Sequence, residues 1–327
     1  MATTVVYDGD IYQLTKMLTD SFPMQVVKAR AIFRWIAENI SYDFQFYNKY
    51  HETDKEQPTY KCRGAEDCAI KKIEWETSYL SKVLKKKKAV CQGYAMLFQK
   101  MCTIAGLKSE IIPGYVRSRY YQVGGMGSLD HAWNAVWIDS AYYLVDVTWA
   151  AGGCSENEDG KLLAFHKQYH DYYWLTPPQD FARNHFPKNS QWTLLKNYTK
   201  EDFSQNPYYL PGALPKIKLL EPVTGVINAK KGDTIKFKID YSEQVKYVQV
   251  NSNIFRNPDV WVVEDANKKT GIKTLNAFAL KRQQYIEYKQ QGNVYEFEYV
   301  VTDASLYYVD ILFDTQRVMR SKVNIVK

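Results

Sequence analysis

Three short islands carry residue types that thiol chemistry needs: Val90-Cys91-Gln92-Gly93-Tyr94-Ala95, Asp130-His131-Ala132-Trp133-Asn134 and Leu144-Val145-Asp146-Val147-Thr148-Trp149. Tyr94, Ala95, Phe98, Met101, Cys102 and Ala105 recur at helical spacing, so a helix is predicted from Cys91 to about Ala105, with Gly106 as its stop. Cys91 would then sit in the first turn, where unpaired backbone N–H groups and the helix dipole stabilise a thiolate. His131 is predicted to open a strand over Ala132–Ile138. Asp146 falls on the next strand, Tyr142–Val147, after a turn at Asp139-Ser140. That spacing suits two antiparallel strands on which an imidazole lies between a carboxylate and a thiol. Cys91 as nucleophile, His131 as base and Asp146 as the orienting carboxylate would form an acyl-transfer triad.

Taken singly, these residues mean little. A cysteine near a helix start is more often core packing, and a lone histidine is more often structural. Together they reverse the odds, because each sits where the mechanism needs it. Other candidates are weaker. Lys85-Lys86-Lys87-Lys88 could raise the local potential beside Cys91, but a charge run is more often a solvated turn. His166 and His170 have an i, i+4 spacing that can bind metal, yet no HExxH glutamate accompanies them, so no metal site is expected. Asp43 and Asp130 read as structural. Trp133 and Trp149 are candidate walls of the site. An oxyanion would need two donors: the Cys91 backbone N–H is one, Tyr42 is the candidate for the second, and Trp75 is a weaker alternative.

The surrounding elements are helices first and strands later. Val26, Val27, Ala29, Ile32, Phe33, Ile36, Ala37 and Ile40 form a helical stripe after Pro23. Residues 48–74 are mostly polar and read as an irregular excursion. Ile111, Ile112, Tyr115 and Val116 read as strand around Pro113-Gly114, and Val123–Gly127 as a glycine-rich loop. This order makes an α+β domain over residues 1–205. Residues 206–215, with Pro207, Pro211, Gly212 and Pro215, read as a turn-rich linker. Beyond it the period is two. Ile235, Phe237 and Ile239, then Tyr295, Phe297 and Tyr299, then Val309, Ile311 and Phe313 alternate with their neighbours, which predicts a β-sandwich over 216–327.

The three islands resemble the transglutaminase-like superfamily, a circularly permuted relative of the papain arrangement, in which the cysteine opens a helix and the histidine and aspartate lie on adjacent strands. The resemblance places the family's triad on Cys91, His131 and Asp146. Lys28-Ala29-Arg30-Ala31-Ile32-Phe33-Arg34-Trp35-Ile36-Ala37 with Ile40-Ser41-Tyr42-Asp43, and Tyr173-Trp174-Leu175-Thr176-Pro177 with His185-Phe186-Pro187 and Trp192, are similar to segments of its kyphoscoliosis-peptidase-like branch. The likeness covers roughly residues 10–200. It implies a transglutaminase-like, papain-like catalytic domain followed by a β-sandwich of Ig-like type. The chain lacks the zinc-binding CxxC pairs of the peptide-N-glycanase branch and any clustered acidic calcium motif.

Composition bounds the rest. A length of 327 residues gives a prior of about two domains. With 46% hydrophobic and 24% charged residues the chain is ordinarily globular, and its net charge of +7 is too diffuse to suggest nucleic-acid binding. No apolar run reaches the roughly 18–20 residues of a membrane helix. Five cysteines argue against a fully paired framework; Cys62 and Cys68 could close one local loop, but two free thiols are the expectation. The start has no signal-peptide pattern, which implies an intracellular protein if Met1 is native and a secreted or cell-surface one if a leader was trimmed. The expected function is cysteine-dependent acyl transfer on peptide or carboxamide bonds, as a hydrolase or peptidase with no cofactor. Its substrate would be a protein or peptide, with cell-wall peptide one candidate. The alternatives are a transamidating crosslinker and a non-catalytic scaffold that binds protein or glycan.

Overall fold

The computed structural model describes residues 2–50, 61–157, 159–254, 261–264, 272–275 and 277–326. The chain divides into two compact units: residues 1–115 with 128–197, and residues 116–127 with 198–327.

The first unit opens with helices α1 (Ile11–Thr19) and α2 (Gln25–Asn39), a two-residue strand β1 (Ser41–Tyr42) and α3 (Phe44–Tyr50). A long helix α4 (Ala65–Lys86) leads through β2 (Lys88–Ala89) into α5 (Cys91–Ile104). Strands β3 (Ser109–Val116), β4 (His131–Ile138) and β5 (Ala141–Val145) follow, then a short helix α6 (Val147–Ala151), the hairpin β6 (Gly152–Glu156) and β7 (Leu162–Lys167), α7 (Pro178–Phe181) and β8 (His185–Pro187). The main sheet has the order β5-β4-β3-β8. The stripe predicted after Pro23 is the buried face of α2: Ala29, Ile32, Phe33, Ile36 and Ala37 are buried, and α2 packs on α1 and α5. The last carbonyls of α2 are taken by a side chain, as Lys167 Nζ donates to Ala37 at 3.1 Å and to Ile40 at 2.9 Å.

Three local expectations need correction. Most of the stretch read as irregular from 61 onward is helical, because α4 begins at Ala65; residues 51–60 lie outside the described set. Only Leu80, Val83 and Leu84 of α4 are buried, while Ile70 and Ile73 are exposed, so its first half carries no core-facing period to read. Pro113-Gly114 does not interrupt β3. Pro113 pairs with Ala132 inside the ladder, and its carbonyl accepts the Lys188 N–H at 2.8 Å. Cys62 and Cys68 form a disulfide rather than two free thiols.

The second unit holds two sheets of a β-sandwich. One has the strand order 217–221, 234–241, 294–300, 288–291; the other has 226–229, 316–325, 308–313, 248–252, 283–286, with Tyr208–Tyr209 added beside 316–325. The period-two stripes meet face to face. Phe237 stacks on Phe297 at 5.4 Å, and Phe313 of the opposite sheet lies 4.9 Å from Tyr241 and 5.6 Å from Tyr295. The turn-rich stretch 206–215 belongs to this unit, with Tyr208, Tyr209, Ala213 and Leu214 buried.

The alternation of 308–313 suggests one dry and one wet face, yet every residue from Tyr308 to Phe313 is buried. The second face carries Asp310, gripped by Arg320 at 2.7 Å through Nε and 2.6 Å through an Nη, with the Arg320 guanidinium lying 4.8 Å from the Tyr120 ring. Tyr120 belongs to the 116–127 segment, which Arg117 ties to the same unit by donating to the carbonyls of Phe203 at 2.8 Å and Gly125 at 2.9 Å. Among the described residues, no helix is long and apolar enough to cross a membrane.

Candidate active site

Cys91 is the first residue of α5. Val90 precedes it as the N-cap, in an extended conformation and with no side-chain cap, and the Gly93 and Tyr94 N–H groups donate back to its carbonyl at 2.9 and 3.2 Å. The helix is held against the rest of the unit at several points. Tyr94 donates its hydroxyl to the Ile40 carbonyl at 2.8 Å, and Asn134 on β4 donates to the Ala95 carbonyl at 3.1 Å. Gly93 lets α4 approach: a Cβ there would meet the Tyr79 hydroxyl at 2.7 Å and Ala89 Cβ at 2.8 Å.

His131 opens β4 in register with Gly114 of β3. This glycine is also required by packing, since an added Cβ would come within 2.2 Å of the Trp133 ring and 2.6 Å of the Phe186 carbonyl. The hairpin β4–β5 turns on Asp139 and Ser140, both at positive φ, as a tight right-twisting turn demands. Its ladder ends at Asn134 opposite Val145. Asp146 is therefore one step past β5 rather than on it, and serves as the N-cap of α6. Continuing that register would put Trp133 opposite Asp146, so His131 reaches the carboxylate diagonally.

Asp146 is fully buried and held on all sides. Its N–H donates to the Tyr173 carbonyl at 3.0 Å, and its Oδ1 accepts the Trp149 N–H at 3.0 Å. Its Oδ2 meets two imidazoles, His131 Nε2 at 2.7 Å and His185 Nε2 at 3.1 Å. Cys91 Sγ donates to the Asp130 carbonyl at 3.6 Å, one residue before His131, and the cysteine contributes to the charge balance of the His131 ring. With Nε2 committed to Asp146, Nδ1 is the ring nitrogen left for the thiol.

The charges follow from this geometry. Burial alone pulls the His131 imidazolium down, but the facing Asp146 carboxylate and the Cys91 side chain outweigh it and raise His131 to about 10. Burial works against the Asp146 carboxylate, but the two imidazoles more than offset it and hold the group below the usual carboxylate range. His185 goes the other way: desolvation dominates over the same carboxylate, His131 opposes a second cation, and His185 falls to about 4. One carboxylate thus faces one imidazole whose cation is favoured and one whose cation is disfavoured. Such an arrangement can ionise a thiol and return a proton to a leaving group.

The other expected site residues are placed as follows. Trp149 is half-buried with its ring 5.4 Å from His131, and buried Trp133 is 6.2 Å from it, so both flank the imidazole. Tyr42 lies on β1 in register with Ala89, two residues before Cys91. Trp75 stacks on Tyr79 along α4. His166 is on β7 beside Ser155, whereas His170 caps a separate turn, so the i, i+4 spacing brings no shared helix face. Lys85 to Lys88 are exposed. His185 was missed as a site residue; in sequence it is one histidine in a His-Phe-Pro segment with nothing beside it to mark chemistry. Among the described residues, His131, Asp146 and His185 are also the group that could gather round a metal ion, their ligand atoms all lying within 4.8 Å of one another. In this structure the carboxylate oxygen between the two imidazoles is engaged by both.

Residues 12–147 match the model of the transglutaminase-like superfamily. Among curated proteins, the kyphoscoliosis peptidases of Mus musculus and Homo sapiens are each 30% identical over 235 residues, covering 68% of this chain and 32% of theirs. Hillarin of Drosophila melanogaster is 28% identical over 209 residues, covering 60% of this chain and 22% of its own. The chain thus spans about a third of the kyphoscoliosis peptidases it matches. These matches place the chain, through its first unit, in the transglutaminase-like superfamily, on the kyphoscoliosis-peptidase-like branch.

Proposed function

We propose that the first unit is a cysteine-dependent amide hydrolase acting on protein or peptide substrates. The observation that carries this reading is the buried His131–Asp146 pair, hydrogen-bonded at 2.7 Å, with buried Cys91 at a helix start acting on the charge of the same imidazole. In the reaction, Cys91 Sγ, its proton already held by the His131 imidazolium, attacks a carboxamide or peptide carbonyl. The C–N bond breaks as the imidazolium returns that proton to the leaving amine, and a thioester remains. Water, deprotonated by His131, attacks the thioester and releases the acid, with the proton kept on His131 opposite the thiolate. Asp146 fixes the tautomer of His131 and stabilises its cation. The Cys91 N–H is the first oxyanion donor, and Tyr42 is the candidate for the second.

Among the described residues nothing marks an amine-binding site, and hydrolysis is the preferred reading over amine transfer. The matching kyphoscoliosis proteins carry the name peptidase, which agrees with a peptide substrate. The sandwich unit, read as Ig-like, would contribute docking rather than chemistry. The test is a peptide and carboxamide library incubated with wild type and Cys91→Ala, with trapping of the thioester by mass spectrometry. Turnover and a trapped adduct on Cys91 in wild type alone support the reading. Equal signals from both proteins sink it, and an amide product formed with an added amine replaces hydrolase with crosslinker.

A further inference from the structure

The second imidazole on Asp146 is not needed by the three-residue scheme, and its setting is too complete for a space-filling side chain. His185 is fully buried. Its ring stacks on Phe181 at 4.1 Å and is flanked by Trp149 at 4.6 Å, Trp133 at 5.1 Å and Tyr173 at 6.0 Å. These rings fix its plane. Its Nε2 lies 3.1 Å from Asp146 Oδ2, and its Nδ1 lies 2.6 Å from Asn184 Oδ1. We propose that His185 is a positioning residue for the triad, donating its Nε2–H to Asp146 Oδ2 so that this oxygen stays charged and aimed at His131. The inference rests on the acyl-transfer reading and deepens it.

The donor direction follows from chemistry. An unprotonated Nε2 would set a lone pair against a carboxylate oxygen. Every state that avoids this carries a proton on Nε2: the neutral ring with the Asn184 amide turned to donate to Nδ1, or the cation donating to both partners. Asp146 in turn needs the bond. A buried carboxylate has about four lone-pair sites, and loss of a donor leaves charge uncompensated where water cannot reach. With only His131 and the Trp149 N–H remaining, the group would take up a proton or turn away, and either change weakens its hold on the His131 cation. The titratable groups facing His185 are Asp146, His131 and Tyr173.

The test reads Cys91 alkylation by iodoacetamide from pH 4 to 9, each rate normalised to its value at pH 9, in His185→Phe, His185→Gln, His185→Asn and His131→Ala, with circular dichroism confirming the fold. Gln can place an amide N–H where Nε2 stands, whereas Asn reaches only the Nδ1 position. The expected result is labelling at pH 6 slowed about tenfold in His185→Phe and His185→Asn and restored to within about twofold of wild type in His185→Gln. If His185→Phe does not fold, the Gln–Asn pair decides alone. Equal behaviour of Gln and Asn, or a wild-type profile in His185→Phe, overturns the role of His185. A wild-type profile in His131→Ala overturns the triad itself and this inference with it.

Discussion

Among the described residues each unit buries one aspartate at full depth, and the two are answered by different partners. In the sandwich, Asp310 is gripped by the guanidinium of Arg320, a group that does not lose its proton in a protein. In the first unit, Asp146 is answered by two imidazoles, which can change charge, one raised to about 10 and the other lowered to about 4. The sandwich pair holds strands 308–313 and 316–325 together beneath the 116–127 segment. The Asp146 cluster places a proton carrier beside a thiol. Similar burial therefore serves structure in one place and is available for proton transfer in the other, and the side chain opposite the carboxylate makes the difference.

The largest effect should come from Asp146→Asn, which keeps volume but removes the charge opposite His131. Turnover should fall about 10³–10⁴-fold with the fold retained. Full activity in steady-state kinetics would move the carboxylate role elsewhere, with Asp139, exposed in the β4–β5 turn, the first alternative. The matching change in the sandwich, Asp310→Ala, should leave Arg320 buried without its partner and cost about 3–5 kcal/mol in urea unfolding, while Cys91 labels at an unchanged rate. Altered labelling at matched folded fraction would break the division between the two clusters.

A smaller effect is the pH dependence of stability. His185 is lowered to about 4, so the unfolded chain binds the extra proton between about pH 4 and 6.5, and stability contributed by this group rises with pH across that window. His131 is raised to about 10, so its contribution is full below about 6.5 and is lost as pH rises towards 10. Denaturant midpoints should therefore peak near pH 6.5, and His185→Gln should flatten the acidic limb selectively. An acidic limb unchanged in that variant would assign it to other groups. The smallest change is Gly114→Ala, whose methyl would collide with the Trp133 ring beside His131. It should destabilise by about 1–3 kcal/mol through overpacking and reduce turnover, as calorimetry and kinetics would show. A neutral outcome would mean that the Trp133 wall can shift freely.

Much of this was legible because local chemistry and periodicity agree at α5, β4 and β5. The stripe from Tyr94 to Cys102 faces the core, and the Asp139-Ser140 turn falls between the strands as expected. What was not legible depends on tertiary partners. The first half of α4 has no buried stripe, since Ile70 and Ile73 are exposed. Asp146 departs from a strand reading because its side chain caps α6, and capping aspartates carry no period. Asp310 looks solvent-facing until residues 116–127 join the sandwich unit. His185 becomes a site residue only when β8 lies beside β3 and brings it to Asp146, 39 residues away.

The central claim, that Cys91 is a nucleophile activated by His131, is tested most directly by brief iodoacetamide treatment at pH 6 followed by peptide mapping. Cys102 is fully buried, Cys154 is pushed up to about 11 by burial, and Cys62 and Cys68 are paired until reduced. The account predicts that Cys91 labels well ahead of every other cysteine, reduced Cys62 and Cys68 included, and that His131→Ala abolishes this lead below pH 7 with little change above pH 9. Cys91 labelling no faster than reduced Cys62 and Cys68, or a lead that survives His131→Ala, would contradict it.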